Sequence, residues 1–551
     1  MLARTSHQTP TAATDPPRRA ALPALALLGV ALLTAWWPAE TTAFTPTVNA
    51  LAVLCLVPWS HRRTGGRELG QGLLVAGAAA AAAALSAAGG LDLTTATGEL
   101  ALAAAVAALV WCASREEPPE TVVRWLALGL AALALWALWQ VAVGFERAQL
   151  DVAWLPEVLR DNAAERLASG RAFASLLLPG HLAAVLATAL PILAAGVRRS
   201  WRSVGWLAGS LLCGLGLVLT RSPIGIGLAL LALAALVVRR RRGLLVGALV
   251  LLAVGLLAVV ASRGDVGELA PVRLRLDNWQ TAVWAWRTSP LTGVGLGSYG
   301  QSTRAVPIEV GNLPAHAHSL PLEWLAEMGV AGLLAAALAI AWLVDLLRRL
   351  WPRRPELAVA LAVVPLHNLV DFSLYTSGVA LPWAVLLGWG VAAARPARPV
   401  VEPSPRRELL VAAAALTVAA ALLHAASATV ESAAQSAGSA GQRVDGSLVA
   451  QRLAPWRASP PLLTAAAALE AGDEDRFSAA AGALDRARRW RPRSAAVAAA
   501  AAELELARGR VPTAAAGAWT AQYVQPRSAE RRGAWMDLLT RLEEADDAAR
   551  P

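Results

Sequence analysis

Apolar runs follow one another along most of this chain. They lie near residues 21–38, 45–59, 70–88, 99–113, 122–143, 174–197, 203–219, 223–238, 243–261, 319–347, 356–370, 376–394 and 408–426. A helix of about 20 apolar residues crosses the hydrocarbon core of a bilayer, and most of these runs approach that length. The pattern predicts an all-α fold: a polytopic membrane helix bundle of about 12–13 spans. The first run follows Arg18 and Arg19 and lacks a small-residue cleavage site, so it is expected to remain as an uncleaved span.

Composition agrees with the pattern. Of 551 residues, 56% are apolar and only 16% are charged, too greasy a balance for a soluble chain of this length. No lysine occurs. Arginine abundance is therefore uninformative, but arginine position is not. The formal net charge is +10, yet the basic residues cluster at helix ends and not on one face, which argues against a nucleic-acid partner. Cys55, Cys112 and Cys213 fall in or beside apolar runs and make neither a disulfide framework nor a metal motif.

Basic loops belong mainly on the cytoplasmic side. With residues 1–20 as a cytoplasmic tail, the next inside loops carry Arg62, Arg63 and Arg67; Arg115 and Arg124; Arg198, Arg199 and Arg202; Arg239 to Arg242; Arg348, Arg349, Arg353 and Arg354; and Arg395, Arg398, Arg406 and Arg407. The first outside loops, PAETTAFTP and GGLDLTTATG, carry none. The alternation puts 144–173, 262–318 and the turns Thr220–Ser222 and Asp371–Thr376 outside, together with everything after 426. The membrane domain is thus expected over 21–426. Residues 430–551 are Ala-rich and Arg-rich with helical patterning throughout. Their motifs LAPWRASP, RWRPRSAA and YVQPRSAE place Pro455, Pro492 and Pro526 at spacings of 37 and 34 residues. That period predicts a soluble, extracytoplasmic α-helical repeat domain of tetratricopeptide-like kind.

Ionisable groups facing an outside vestibule are the ones to examine, because charge in a membrane domain is costly. Arg171 precedes the sixth run, and Arg221 sits in an outside turn between two apolar helices. Basic residues are disfavoured there, so Arg221 asks for an anionic partner, unless it snorkels to headgroups. PVRLRLDNWQTAVWAWRT predicts an amphipathic helix near the outer surface. The GVGLG that follows is a weak phosphate-loop signal, and its glycines fit close packing better. In AHAHSLPLEWLAEMG, His316 and His318 lie two apart, with no third ligand in view to make a metal site.

Taken in order, these pieces resemble the O-antigen ligase and O-antigen polymerase superfamily over about 165–395. The resemblance rests on RAFASLLLPGHLA; on TRSPIG; on R-x-x-x-W followed by SPLTGVGLGSY; on HSLPLEWLAEMGVAGL, where His318, Leu322, Glu327 and Gly329 fall on the family's motif; and on LHNLVDFSLYTSG. It departs where the family has Asn-Pro-Asn, here Leu178–Pro179–Gly180, and where it has Thr, here Ser175.

The resemblance implies a GT-C-like, metal-independent and inverting glycosyltransferase of the bacterial inner membrane that uses no cofactor. The implied donor is an undecaprenyl-diphosphate-linked glycan, and the acceptor is a hydroxyl on lipid A-core or another surface glycan. The leaving diphosphate needs cations, and arginine suits it because its planar fork pairs with phosphate oxygens. Arg171, Arg221 and Arg275 are the candidates, with His318 as the general base. His316 is expected to be a bystander. Glu327 and Asp371 are expected in support, each beside an arginine. A polymerase or a protein O-oligosaccharyltransferase would use the same motifs. A glycan transporter would need inverted repeats that the chain does not display. An inactive scaffold is left open by the departure at 178–180. The helical repeats leave room for a protein partner.

Overall fold

The computed structural model describes residues 16–36, 93–114, 117–152, 164, 166–176, 178–199, 204–238, 270–302, 315–394, 423, 426–427, 429–455, 457, 459–490, 494–524 and 540–541. The expected spans at 45–59, 70–88 and 243–261, and nearly all of 408–426, lie outside these residues. Every other expected span is an apolar helix.

The membrane helices are α1 (Pro16–Trp36), α2 (Leu93–Ala113), α3 (Glu120–Ala131), α4 (Leu133–Trp139), α5 (Phe145–Asp151), α6 (Pro179–Arg199), α7 (Val204–Thr220) and α8 (Pro223–Val238). After them come α9 (Ala270–Thr288), the short α10 (Tyr299–Ser302), α11 (Leu320–Leu350), α12 (Pro355–His367) and α13 (Ser377–Ala394). Helices α3 to α5 form one rod, interrupted by a π-helical turn at Gln140–Gly144. No strand occurs among the described residues.

Two almost wholly buried helices organise the bundle. Helix α6 packs against α3, α7, α8 and α12, while α13 packs against α1, α2, α11 and α12. Lipid tails are as apolar as leucine, so helices in a bilayer associate through close packing more than through burial from water. The alanine-rich sequence serves that need. A β-carbon on Gly225 would lie 2.3 Å from Ala183 Cβ, and one on Gly388 would lie 2.5 Å from Ala113 Cβ.

The bundle has two chemically different ends. At one, Arg354 pairs with Glu117 at 2.8 Å and Glu356 at 3.1 Å, and Arg124 stacks on Trp206 at 4.6 Å. The other end collects the turns 169–181, 220–222, 315–319 and 368–376.

Helix α11 departs from the continuous span expected at 319–347. It is broken at Gly329, whose φ of 64° and ψ of −152° are closed to residues with a side chain. The loop after α9 enters this break. Val294 and Gly295 donate to the carbonyls of Ala326 and Glu327, and Val330 donates to that of Pro290. The GVGLG glycines thus serve backbone packing: a β-carbon on Gly293 would lie 2.1 Å from the Glu327 carbonyl carbon.

The C-terminal helices α14 (Ala440–Leu453), α15 (Ser459–Ala471), α16 (Glu474–Trp490), α17 (Ala495–Ala507) and α18 (Val511–Val524) pack in sequence, each on the next. Ser439 and Ser494 cap two of them by accepting from Gln442 N and Val497 N. The first helices of successive hairpins are tied by Gln451, which donates to Ala483 O at 2.8 Å and accepts from Arg486 at 3.1 Å. A buried ion pair, Arg457–Glu431 at 2.5 Å, fastens the stack to the helix before it.

Candidate functional site

The segment 315–319 reaches the start of α11 in a strained form. His318 has a φ of 54°, in the left-handed region that costs most residues energy. Two bonds hold it there: Trp279 Nε1 of α9 donates to His318 O at 3.2 Å, and Leu320 N donates to Asn368 O at 2.9 Å. The two histidines have different surroundings. His316 Nδ1 lies 2.7 Å from Oε1 of the buried Glu323, whose Oε2 accepts from Ala317 N at 2.8 Å. The His316 ring stacks between Phe372 at 4.5 Å and Tyr375 at 4.7 Å. His318 meets Phe372 edge-on at 4.7 Å and stays partly exposed.

Asp371, buried in the turn between α12 and α13, is the centre of the charge cluster. Its Oδ1 accepts from Phe372 N at 2.9 Å and lies 3.6 Å from His318 Nδ1. Its Oδ2 lies 3.7 Å from His367 Nε2 and 3.9 Å from Arg275 Nη2. Arg275 also donates from Nε to Val370 O at 3.1 Å. From α6, Gly180 backs onto the same carboxylate: a β-carbon there would lie 2.9 Å from Oδ2. His181 hydrogen-bonds Thr376 at 2.9 Å and meets Phe372 edge-on at 5.1 Å. Burial pushes the Asp371 carboxyl up, but His318, His367 and His181 outweigh it and hold the group below its ordinary value.

Arg171 and Arg221 come together on two turns that brace each other. Arg171 Nε donates to Thr220 O at 3.1 Å, Ala172 N to Leu219 O at 3.0 Å, and Arg221 Nη1 to Ser169 O at 3.3 Å. Arg221 is exposed, with a φ of 47°. Ala174 completes the set of non-glycine residues with positive φ among the described residues. Its N–H and that of Phe173 both donate to Gln140 Oε1 at 2.9 Å. That amide projects from the π-helical turn, a local widening often found at functional sites. The same stretch then runs to Gly180 and Asp371, linking the arginine pair to the histidine cluster.

Glu327 is wholly buried in α11, and its Oε1 accepts from Tyr299 N at 3.0 Å. It thereby anchors the loop that fills the helix break. Sequence reasoning missed Gln140, and it gave Trp279, Phe372 and His367 no role in the site. Gln140 did leave a signal, a lone polar residue inside an apolar run. Trp279 and Phe372 stand in the R-x-x-x-W and LHNLVDFSLYTSG motifs, but their contacts depend on what packs beside them. Among the described residues, no group of three His, Cys, Asp or Glu side chains is arranged to hold a metal ion.

The family model for O-antigen ligase matches residues 208–337. No curated protein matches the chain. The matched stretch contains Arg221, Arg275, His318 and Glu327. Asp371 and Arg171 lie outside it, but the fold brings each against a residue or turn within it. Over residues 208–337, the chain is therefore similar to the O-antigen ligase family.

Proposed function

We propose that this protein is an inverting membrane glycosyltransferase that moves a glycan from undecaprenyl diphosphate to an acceptor hydroxyl on lipid A-core or another surface glycan. The family match supports an O-antigen ligase- or polymerase-type function. The observation that carries the finer reading is the backing of His318 by Asp371 at 3.6 Å, at the bundle end that also carries Arg171 and Arg221.

Nδ1 of His318 faces the carboxylate, so Nε2 is the nitrogen available to substrate. Nε2 takes the acceptor hydroxyl proton as the oxygen bonds to the anomeric carbon. The bond from that carbon to the diphosphate oxygen breaks in the same displacement, and undecaprenyl diphosphate leaves with the electron pair. Arg171, Arg221 and Arg275 neutralise the diphosphate through charge-assisted hydrogen bonds. Asp371 keeps the ring oriented and stabilises the imidazolium that forms. Glu327 supports the site through the loop it anchors.

In this reading the reaction end faces the periplasm, the N-terminus is cytoplasmic, and residues 430–551 form a tetratricopeptide-like platform outside the inner membrane for a protein partner. Purified full-length protein in nanodiscs, given lipid-linked glycan and hydroxyl acceptors, should release undecaprenyl diphosphate together with glycosylated acceptor. Movement of the lipid-linked glycan across a vesicle with no transfer product would overturn the reading.

A further inference from the structure

His367 closes α12 with its side chain fully buried. Its two ring nitrogens face different partners. Nδ1 lies 3.2 Å from Ser373 Oγ, and Nε2 lies 3.7 Å from Asp371 Oδ2. Ser373 Oγ already accepts from Asn368 Nδ2 at 2.9 Å, and Asn368 is fixed by a second bond to Val364 O at 2.8 Å. With its oxygen so engaged, Ser373 has its own hydroxyl proton to give to Nδ1. The ring proton of neutral His367 then sits on Nε2 and points at Asp371. That nitrogen is buried and has no hydrogen-bond partner at normal distance. Burying such a donor is costly unless the carboxylate in front of it is its partner.

The Asp371 oxygens divide the work. Oδ1 serves Phe372 N and faces His318, while Oδ2 faces His367 and Arg275. The Arg275 guanidinium, from α9, draws on the carboxylate from the more exposed side. His367, on the element before the turn, pulls from the buried side. We propose that His367 is a positioning residue that acts through Asp371 to keep His318 in register for proton transfer. This inference rests on the glycosyltransferase reading of the same site.

Two isosteric substitutions separate the two contacts of the ring. The amide nitrogen of His367→Asn falls where Nδ1 is and reaches only Ser373. That of His367→Gln falls where Nε2 is and reaches only Asp371. Transfer kinetics should show kcat reduced about tenfold or more with KM unchanged in His367→Asn, and kcat within about threefold of wild type in His367→Gln. An independent readout is the imidazole titration of His318, followed by NMR in full-length protein labelled at its seven histidines. The titratable and charged groups packed about His318 and Asp371 are His367, His181 and Arg275 around Asp371, and His316 against Phe372. Without the inner tether the carboxylate moves toward Arg275. The His318 midpoint should then fall by about half a pH unit or more in His367→Asn and stay in place in His367→Gln.

An unmoved His318 midpoint in folded His367→Asn, or equal kcat losses in the two variants, overturns the proposal. If wild type transfers no glycan, the proposed function fails and the titration alone decides whether His367 acts through Asp371. Should His367→Asn not fold, Ser373→Ala, which frees the His367 ring, must shift the His318 midpoint in the same direction for the proposal to stand.

Discussion

Nδ1 of His318 faces Oδ1 of Asp371 at 3.6 Å, although the two residues lie on different elements. A carboxylate behind an imidazole fixes the ring and favours its protonated form during reaction. Asp371→Asn preserves shape but removes the charge. It should lower kcat by about 100-fold or more, with little change in donor KM. Steady-state kinetics on folded protein check this, and a loss confined to KM would contradict it.

The same carboxylate makes stability depend on pH. Asp371 is held below its ordinary value of 3.8 despite burial, which works against its charge. A group depressed in the fold contributes stability that is present above its unfolded pKa and lost as pH falls toward its folded one. Melting curves in nanodiscs should therefore show wild type losing stability as pH drops below about 4, with a shallower loss in Asp371→Asn.

Gln140 satisfies two backbone donors, Phe173 N and Ala174 N, at the strained turn that follows Arg171. Gln140→Leu leaves both without that acceptor, at a cost of about 1–3 kcal/mol for each buried donor. Thermal stability should fall, and donor KM should rise as the Arg171 turn loosens. Unchanged melting and unchanged KM would show that the π-helical turn does not brace the site.

Gly329 occupies a conformation that residues with a β-carbon avoid, and a β-carbon there would lie 2.4 Å from Leu291 O. Gly329→Ala should cost at least about 1–3 kcal/mol from backbone strain alone. The loop seated by Glu327 should become sensitive to limited proteolysis near 291–297. A protease-resistant, fully stable variant would contradict the helix-break account.

Much of the fold was legible because the bilayer imposes a length on apolar helices. Helices α6, α7, α8, α12 and α13 begin or end within a few residues of the apolar runs that predict them. The break in α11 was not legible. No polar residue stands between Glu327 and Asp345 to mark it, and only the loop entering at Gly329 reveals why a glycine stands there. The separation of His316 from His318 was visible only as an expectation, since spacing cannot tell a ring stacked on Phe372 and bonded to Glu323 from one turned toward Asp371. His367 and Gln140 gained meaning only from partners distant in sequence or hidden by burial.

Transfer by His318→Ala tests the central claim most directly. Full-length wild type and His318→Ala, each verified as folded, would be given undecaprenyl-diphosphate-linked glycan and a panel of hydroxyl acceptors. Glycosylated acceptor and released undecaprenyl diphosphate would be counted together. The account predicts robust, coupled formation of both by wild type and a loss of about 100-fold or more in His318→Ala. Wild-type rates from His318→Ala would contradict it.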